Sequence, residues 1–359
     1  MNILYIAGES SNWVVNLCNE FCKQGHKVTC VVQSLDEYDK ENPIAIHNDL
    51  TRINVTYEEL FTGKTIINIL NPYILKNKYD VIFGSHAPTA PMIQYLGETY
   101  KIPYGVMLLD IPTDLMRVQR PRMQQWTRWF DNMEYADAII FNTKISRDEY
   151  EKYTGQYFDD RYVIPYAINM PEGFDLSGIK KKGDYVISVC RLTGIKNCKN
   201  IARALSLLDS PKKYVAIGRI SVQEEFNIIK DTCEKNGVEF IHYPMVSEQK
   251  KFELIRDSSM LIYPQDTEYI GGLSPFEGMY CGKPVIVKDY KVSRDLYNDF
   301  AYYFDGTDLD LAKKIAFVHN CNRDALLLKL EQAYSHTLQM ANFNIMAKSM
   351  IKIFERIKK

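Results

Sequence analysis

Pro264-Gln-Asp-Thr-Glu268-Tyr-Ile-Gly-Gly-Leu-Ser-Pro-Phe-Glu277-Gly-Met-Tyr-Cys-Gly282-Lys-Pro-Val-Ile-Val287 decides the fold. The apolar run Met260 to Tyr263 before it reads as a buried strand. A polar loop with paired glycines, Gly271 and Gly272, follows. Ser274 and Pro275 then open a short helix as N-cap and first helical residue, with Glu277 one turn inside. Gly282 stops the helix, and Pro284 to Val287 resumes as strand. A strand, glycine loop, helix and strand in succession predict a parallel sheet.

Such a unit can hold an anion. Backbone N–H groups of Gly272, Leu273 and Ser274 are expected to be free where the helix begins, and amides with a helix dipole suit a phosphate. Glycines let the backbone come close to a ligand. The Glu277 carboxylate repels phosphate but accepts hydrogen bonds from a vicinal diol, which a ribose offers. Phosphate at the loop and ribose at the carboxylate together describe a nucleotide.

The segment resembles the donor-binding stretch of family-4 retaining glycosyltransferases of the GT-B fold. Gly272, Leu273, Pro275, Glu277, Met279, Gly282, Pro284, Val285 and Ile286 carry the likeness. That family has a further glutamate eight residues before the helix glutamate, a position held here by Tyr269. Glu268 lies one residue earlier, four after Pro264, and a one-residue insertion would keep it in that role.

Bulk properties set the frame. At roughly 150 residues per domain, 359 residues predict two domains. A net charge of −1 gives no global field for nucleic acid or membrane. With 46% hydrophobic and 25% charged residues, the composition is that of a soluble protein. No apolar run reaches the roughly 18 residues of a membrane span. Met1 leads straight into a strand, so no signal peptide is expected. The eight cysteines show no zinc spacing, which predicts reduced, buried thiols in a cytoplasmic protein and no metal site.

The chain opens as a Rossmann-like βαβ unit: strand Asn2 to Ala7, helix Val14 to Gln24, strand Lys27 to Val32. The loop between strand and helix holds Gly8, Ser10 and Ser11 where the family has a glycine pair. Two readings are open: hydroxyl donors to a phosphate, or caps for the helix. A strand at Ile53 to Thr56 and a helix at Lys64 to Leu75 are expected next. The strand from Tyr79 ends at His86, which reads as a structural histidine.

The strand Ile102 to Leu109 resembles the one that delivers a histidine in the family, and Leu109 stands at that position. Asp110 follows at the strand end, where ligands bind in open sheets. It is a candidate contact to sugar or acceptor, or a helix cap. In residues 117–130 lie Arg117, Arg120, Arg122 and Arg128 with Trp126, Trp129 and Phe130 and no acid. They suit a membrane surface or a phosphate-bearing acceptor, although a helix with a solvated basic face is the plainer reading.

Ala136 to Thr143 and Tyr162 to Asn169 resemble further family strands. The glycine- and lysine-bearing stretch 170–183 is the most linker-like. Beyond it, Arg191-Leu-Thr-Gly-Ile-Lys196 follows a strand and matches the family's cationic loop, with Cys190 in place of a glycine. Two cations there suit a diphosphate. Tyr243-Pro-Met245 resembles the turn beside the nucleotide base.

The resemblance implies a GT-B protein: an N-terminal Rossmann-like acceptor domain (1–169, joined by the crossover helix 343–359) and a nucleotide-sugar domain (170–342), with parallel sheets facing a central cleft. It implies a metal-independent, retaining enzyme that moves a sugar from a nucleotide sugar to a glycan, lipid or protein hydroxyl, with no cofactor and no nucleic acid. Arg191, Lys196, Glu268 and Asp110 are the expected catalytic residues. Gly271, Gly272, Leu273, Ser274, Glu277 and Met245 are expected at the donor. A cytoplasmic protein, peripheral on the inner membrane face if 117–130 binds lipid, is the corresponding location. Leu109 and the displaced Glu268 keep open a silent GT-B partner subunit, and the basic pair with a single glutamate a nucleotide-sugar epimerase.

Overall fold

The first sheet comprises β1 (Asn2–Ala7), β2 (Lys27–Gln33), β3 (Leu50–Val55), β4 (Val81–Ser85), β5 (Tyr104–Leu108) and β6 (Ala138–Phe141) in the order β3-β2-β1-β4-β5-β6. All its pairings are parallel. A strand flanked on both edges and covered on both faces must be apolar throughout. Ile3 to Ala7 and Val28 to Val32 are accordingly buried without alternation. This computed structural model describes residues 1–7, 12–33, 43–56, 58–59, 63–109, 123–171, 174, 176, 179, 183–267 and 271–358. Gly8, Ser10, Ser11, Asp110 and Glu268 lie outside them, as do residues 117–122.

Helices cover the first sheet. They are α1 (Asn12–Lys23), α2 (Gly63–Asn77), α3 (Ala90–Tyr100), α4 (Met123–Met133) and α5 (Lys144–Thr154). The helical spacing of Val14, Leu17, Cys18 and Phe21 turns these side chains of α1 into the core. The strand expected at Ile53 starts earlier, at Leu50, because it pairs with β2 from Val28 onward. The helix expected over Lys64 to Leu75 runs Gly63–Asn77 and contains Pro72.

The second sheet repeats the plan with β7 (Val186–Val189), β8 (Lys213–Ile217), β9 (Glu239–Tyr243), β10 (Met260–Tyr263), β11 (Val285–Lys288) and β12 (Tyr302–Phe304). Its order is β12-β11-β10-β7-β8-β9, again all parallel. Helices α6 (Lys199–Ser206), α7 (Gln223–Lys235), α8 (Glu248–Asp257), α9 (Ser274–Tyr280), α10 (Lys291–Tyr297), α11 (Asp308–Asn320) and α12 (Arg323–Met340) belong to it. The chain divides into two compact units, Met1–Asn169 with Asn342–Lys359, and Met170–Ala341. The last helix, α13 (Phe343–Ile357), therefore returns to the first unit. There Phe354 packs between Phe83 (4.9 Å) and Phe21 (5.8 Å). Among the described residues no helix is long and apolar enough to cross a membrane.

Candidate active site

Strands β7, β8 and β9 follow one another toward one edge of the second sheet, and β10, β11 and β12 toward the other. The order reverses between β7 and β10. In open parallel sheets the crevice at such a reversal, past the carboxyl ends of the strands, is where ligands bind. The loop after β7 carries Arg191 and Lys196, and the loop after β10 leads to Gly271 and Gly272. Both expected anion-binding stretches thus flank the same point.

Four hydrogen bonds among the described residues tie the loops together. The Asp266 amide donates to the Ile195 carbonyl at 2.7 Å. The Ser274 hydroxyl donates to the Val189 carbonyl at the end of β7. The Lys196 ammonium donates to the Tyr263 hydroxyl at 2.8 Å and to the Gln265 carboxamide oxygen. Thr193 shapes the cationic loop locally: its hydroxyl accepts from the Lys196 amide at 3.3 Å and caps the single turn Gly194–Lys196.

Tyr263 joins the parts. Lys196 lies over its ring at 5.1 Å from the centroid. On the glycine loop, a Cβ added at Gly272 would come within 2.4 Å of the same ring, so only glycine fits there. The Gly272 carbonyl accepts from the Tyr297 hydroxyl at 2.7 Å, which fixes the loop from behind. Tyr263, Gln265, Thr267, Gly271, Gly272, Lys288 and Tyr290 are among the residues around a small open cavity of about 10 Å³.

The family model for group 1 glycosyl transferases matches residues 170–336, and that for glycosyltransferase family 4 matches residues 10–170. Among solved structures, sucrose-phosphate synthase from Thermosynechococcus elongatus is similar, with a TM-score of 0.81 and 14% identity over 99% of each chain. HepE from Anabaena, solved with UDP and glucose, has a TM-score of 0.75 and 12% identity over 99% of this chain and 100% of its own. A glycosyltransferase from Rickettsia africae has a TM-score of 0.75 and 16% identity over 100% and 98%. No curated protein matches the sequence. The chain belongs to the family-4-like glycosyltransferases of the GT-B fold.

Not every expected donor residue of the glycosyltransferase comes to the cavity. Arg191 is exposed on the cationic loop, and its side chain has no hydrogen bond or ion pair among the described residues. Met245 is half-buried in the loop after β9 and does not line the cavity. Glu277 is buried inside α9, where Lys251 of α8 donates to its Oε1 at 2.7 Å. Burial pushes the Glu277 carboxyl up, and the Lys251 charge only partly opposes this. Lys251 also pairs with Glu248 at 2.8 Å, so two carboxylates share one ammonium.

The glycosyltransferase's expected helix cap at Ser274 is not made. Leu273 takes the N-cap position and Ser274 opens the helix, because its hydroxyl is drawn to Val189 instead. At seven residues α9 carries only a small dipole, so amide donors of the loop matter more than the helix field. The N–H groups of Gly272 and Leu273 have no acceptor among the described residues.

Sequence reasoning missed Tyr263, Gln265, Lys288, Tyr290 and Lys251. The Asp266 carboxyl is held below its usual range by Lys288 and by the Tyr290 hydroxyl, and these two partners border the cavity. The thiols of Cys190 and Cys198 approach to 3.4 Å at the two ends of the cationic loop. No group of three or more His, Cys, Asp or Glu residues among the described ones could hold a metal ion.

The first sheet reverses between β1 and β4. His86 stands at that edge with φ 81° and ψ 130°, a conformation unusual for a residue with a side chain. Its amide donates to Met107 at 2.9 Å, and its carbonyl accepts from the Thr89 amide and hydroxyl, so the backbone is fixed from both sides.

Proposed function

We propose that this glycosyltransferase binds a nucleoside-diphosphate sugar at the β7–β10 crevice and transfers the sugar, with retention, to a hydroxyl of a glycan, lipid or protein. The carrying observation is that the cationic loop and the glycine loop flank the strand-order reversal and are joined through Tyr263 and Gln265. HepE, of the same fold, is known with UDP and with UDP-glucose, which favours uridine among the bases.

In this reading Lys196 and Arg191 balance the diphosphate, taking the part a metal ion plays elsewhere. Lys is a point charge and Arg a planar fork, and both act most strongly as charge grows on the departing phosphate. The Gly272 and Leu273 amides donate to phosphate or sugar oxygens. Glu277 has one oxygen on Lys251 and offers the other to a ribose hydroxyl. Glu268 and Asp110 are proposed contacts to the sugar and the acceptor. The departing phosphate takes the acceptor's proton, so no protein base is required.

Turnover of UDP-, GDP- and ADP-sugars tests the reading, with the anomer of the product read by NMR and the assay repeated in EDTA. Slow donor hydrolysis is expected, and Lys196→Ala and Arg191→Ala should each lower kcat by about 100-fold, since the charge developing on the leaving group loses a partner. Unchanged rates in both variants would remove the site assignment.

A further inference from the structure

Lys196 carries four freely rotating bonds, and an ammonium on such a stem loses most of its value to a ligand unless something holds it in place. The structure supplies the holder. The Tyr263 hydroxyl accepts one ammonium hydrogen bond at 2.8 Å, with the charge 5.1 Å from the ring centroid. Gln265 receives another on its Oε1, and the Tyr263 hydroxyl donates to the same oxygen. The other end of the carboxamide is also anchored, with Nε2 donating to the Thr267 carbonyl at 3.1 Å. Gln265 is only 4% exposed, so its orientation is fixed by burial as well as by hydrogen bonds.

We propose that Gln265, with Tyr263, is a positioning residue that presets the Lys196 ammonium beside the glycine loop for a diphosphate. The choice of an amide matters. A carboxylate of the same shape would hold the lysine as firmly but would add a negative charge where phosphate oxygens must approach. An aliphatic residue would add no charge but would hold nothing. Glutamine accepts the ammonium's proton and adds no charge of its own. The adjacent carboxylate, Asp266, is drawn to Lys288 and Tyr290. This inference rests on the reading of the crevice as a nucleotide-diphosphate site.

Calorimetry with UDP and with uridine tests it on the full chain, because only the diphosphate feels Lys196. Gln265→Glu should weaken UDP about tenfold, the effect of a negative charge set where the phosphate oxygens approach. Uridine should bind within about twofold of wild type, and the melting temperature should be unchanged or higher. Gln265→Leu should weaken UDP by a similar factor while lowering the melting temperature, and Tyr263→Phe should weaken it less. Parallel loss of UDP and uridine in Gln265→Glu, or no loss of either, would show a merely structural glutamine and overturn the inference. A wild-type protein that binds none of UDP, GDP and ADP would remove the nucleotide reading itself, and this inference with it, before any variant is compared.

Discussion

At the scale of the residue, Glu277 shows how burial and function pull apart. Its folded carboxyl is raised above the ordinary value because burial outweighs Lys251. The folded protein therefore holds this proton more tightly than the unfolded chain does, and stability falls as pH rises from about 4.5 through the raised value. Glu277→Gln keeps the shape and removes the charge. Lys251 keeps Glu248 as its partner. The variant should match or exceed wild type in melting temperature at pH 8, with the difference closing toward pH 4.5, while UDP affinity drops. Thermal melts at both pH values, set beside a UDP titration, check this. A variant less stable at pH 8 would mean that the Lys251 pair, not burial, dominates. His86 belongs to the same scale. With φ 81°, it should be relieved by glycine, so His86→Gly should gain about 1 kcal/mol, read as a higher urea midpoint. A lower midpoint would show that contacts of the imidazole outweigh the strain.

At the scale of the element, the β10–α9–β11 unit was legible because its punctuation is local. Gly271, Gly272, Pro275, Gly282 and Pro284 fix where strand, helix and strand begin and end, and Met260–Tyr263, Ser274–Tyr280 and Val285–Lys288 form there. The cationic loop was readable for the same reason. Its neighbours were not, since their roles are set by tertiary contact. Gln265 follows a proline in a loop, and nothing in its spacing says that it meets a lysine 69 residues earlier. Lys251 reads as a solvated helix lysine, yet it neutralises Glu277 across two helices. The Ser274 cap failed because a carbonyl on β7 outcompetes the helix for its hydroxyl. Two glycines test this layer. Gly218 has φ 141°, and a Cβ there would lie 2.0 Å from the Cys190 carbonyl oxygen, a backbone atom that cannot step aside. Gly218→Ala should destabilise by about 1–3 kcal/mol and displace Arg191. Gly272→Ala would strike the Tyr263 ring, so it should abolish nucleotide binding while shifting the denaturant midpoint less than Gly218→Ala does. Urea melts and calorimetry with UDP separate the two outcomes; equal effects of both on stability and binding would contradict the division.

At the scale of the whole molecule, two units of the same plan have separate hydrophobic cores. One is built around Tyr5, Phe21, Phe83 and the returning α13, the other around Tyr214, Ile262 and Phe304. The buried face of α13, from Met346 through Met350 and Phe354 to Ile357, completes the first core although the second unit intervenes in sequence. Asn342 starts that helix by accepting from the Asn344 and Ile345 amides, which fixes where the chain re-enters. Removing the Phe354 ring should therefore act on the first unit alone. Phe354→Ala creates a cavity between Phe21 and Phe83 and should lower that unit's stability by about 3–5 kcal/mol. Scanning calorimetry should show the first unit's transition moving to lower temperature while the other, identified by its rise when UDP is added, stays in place. Both transitions moving together by the same amount would mean that the units unfold as one cooperative body. The nucleotide crevice would then draw its stability from the entire chain instead of from the sheet that carries it.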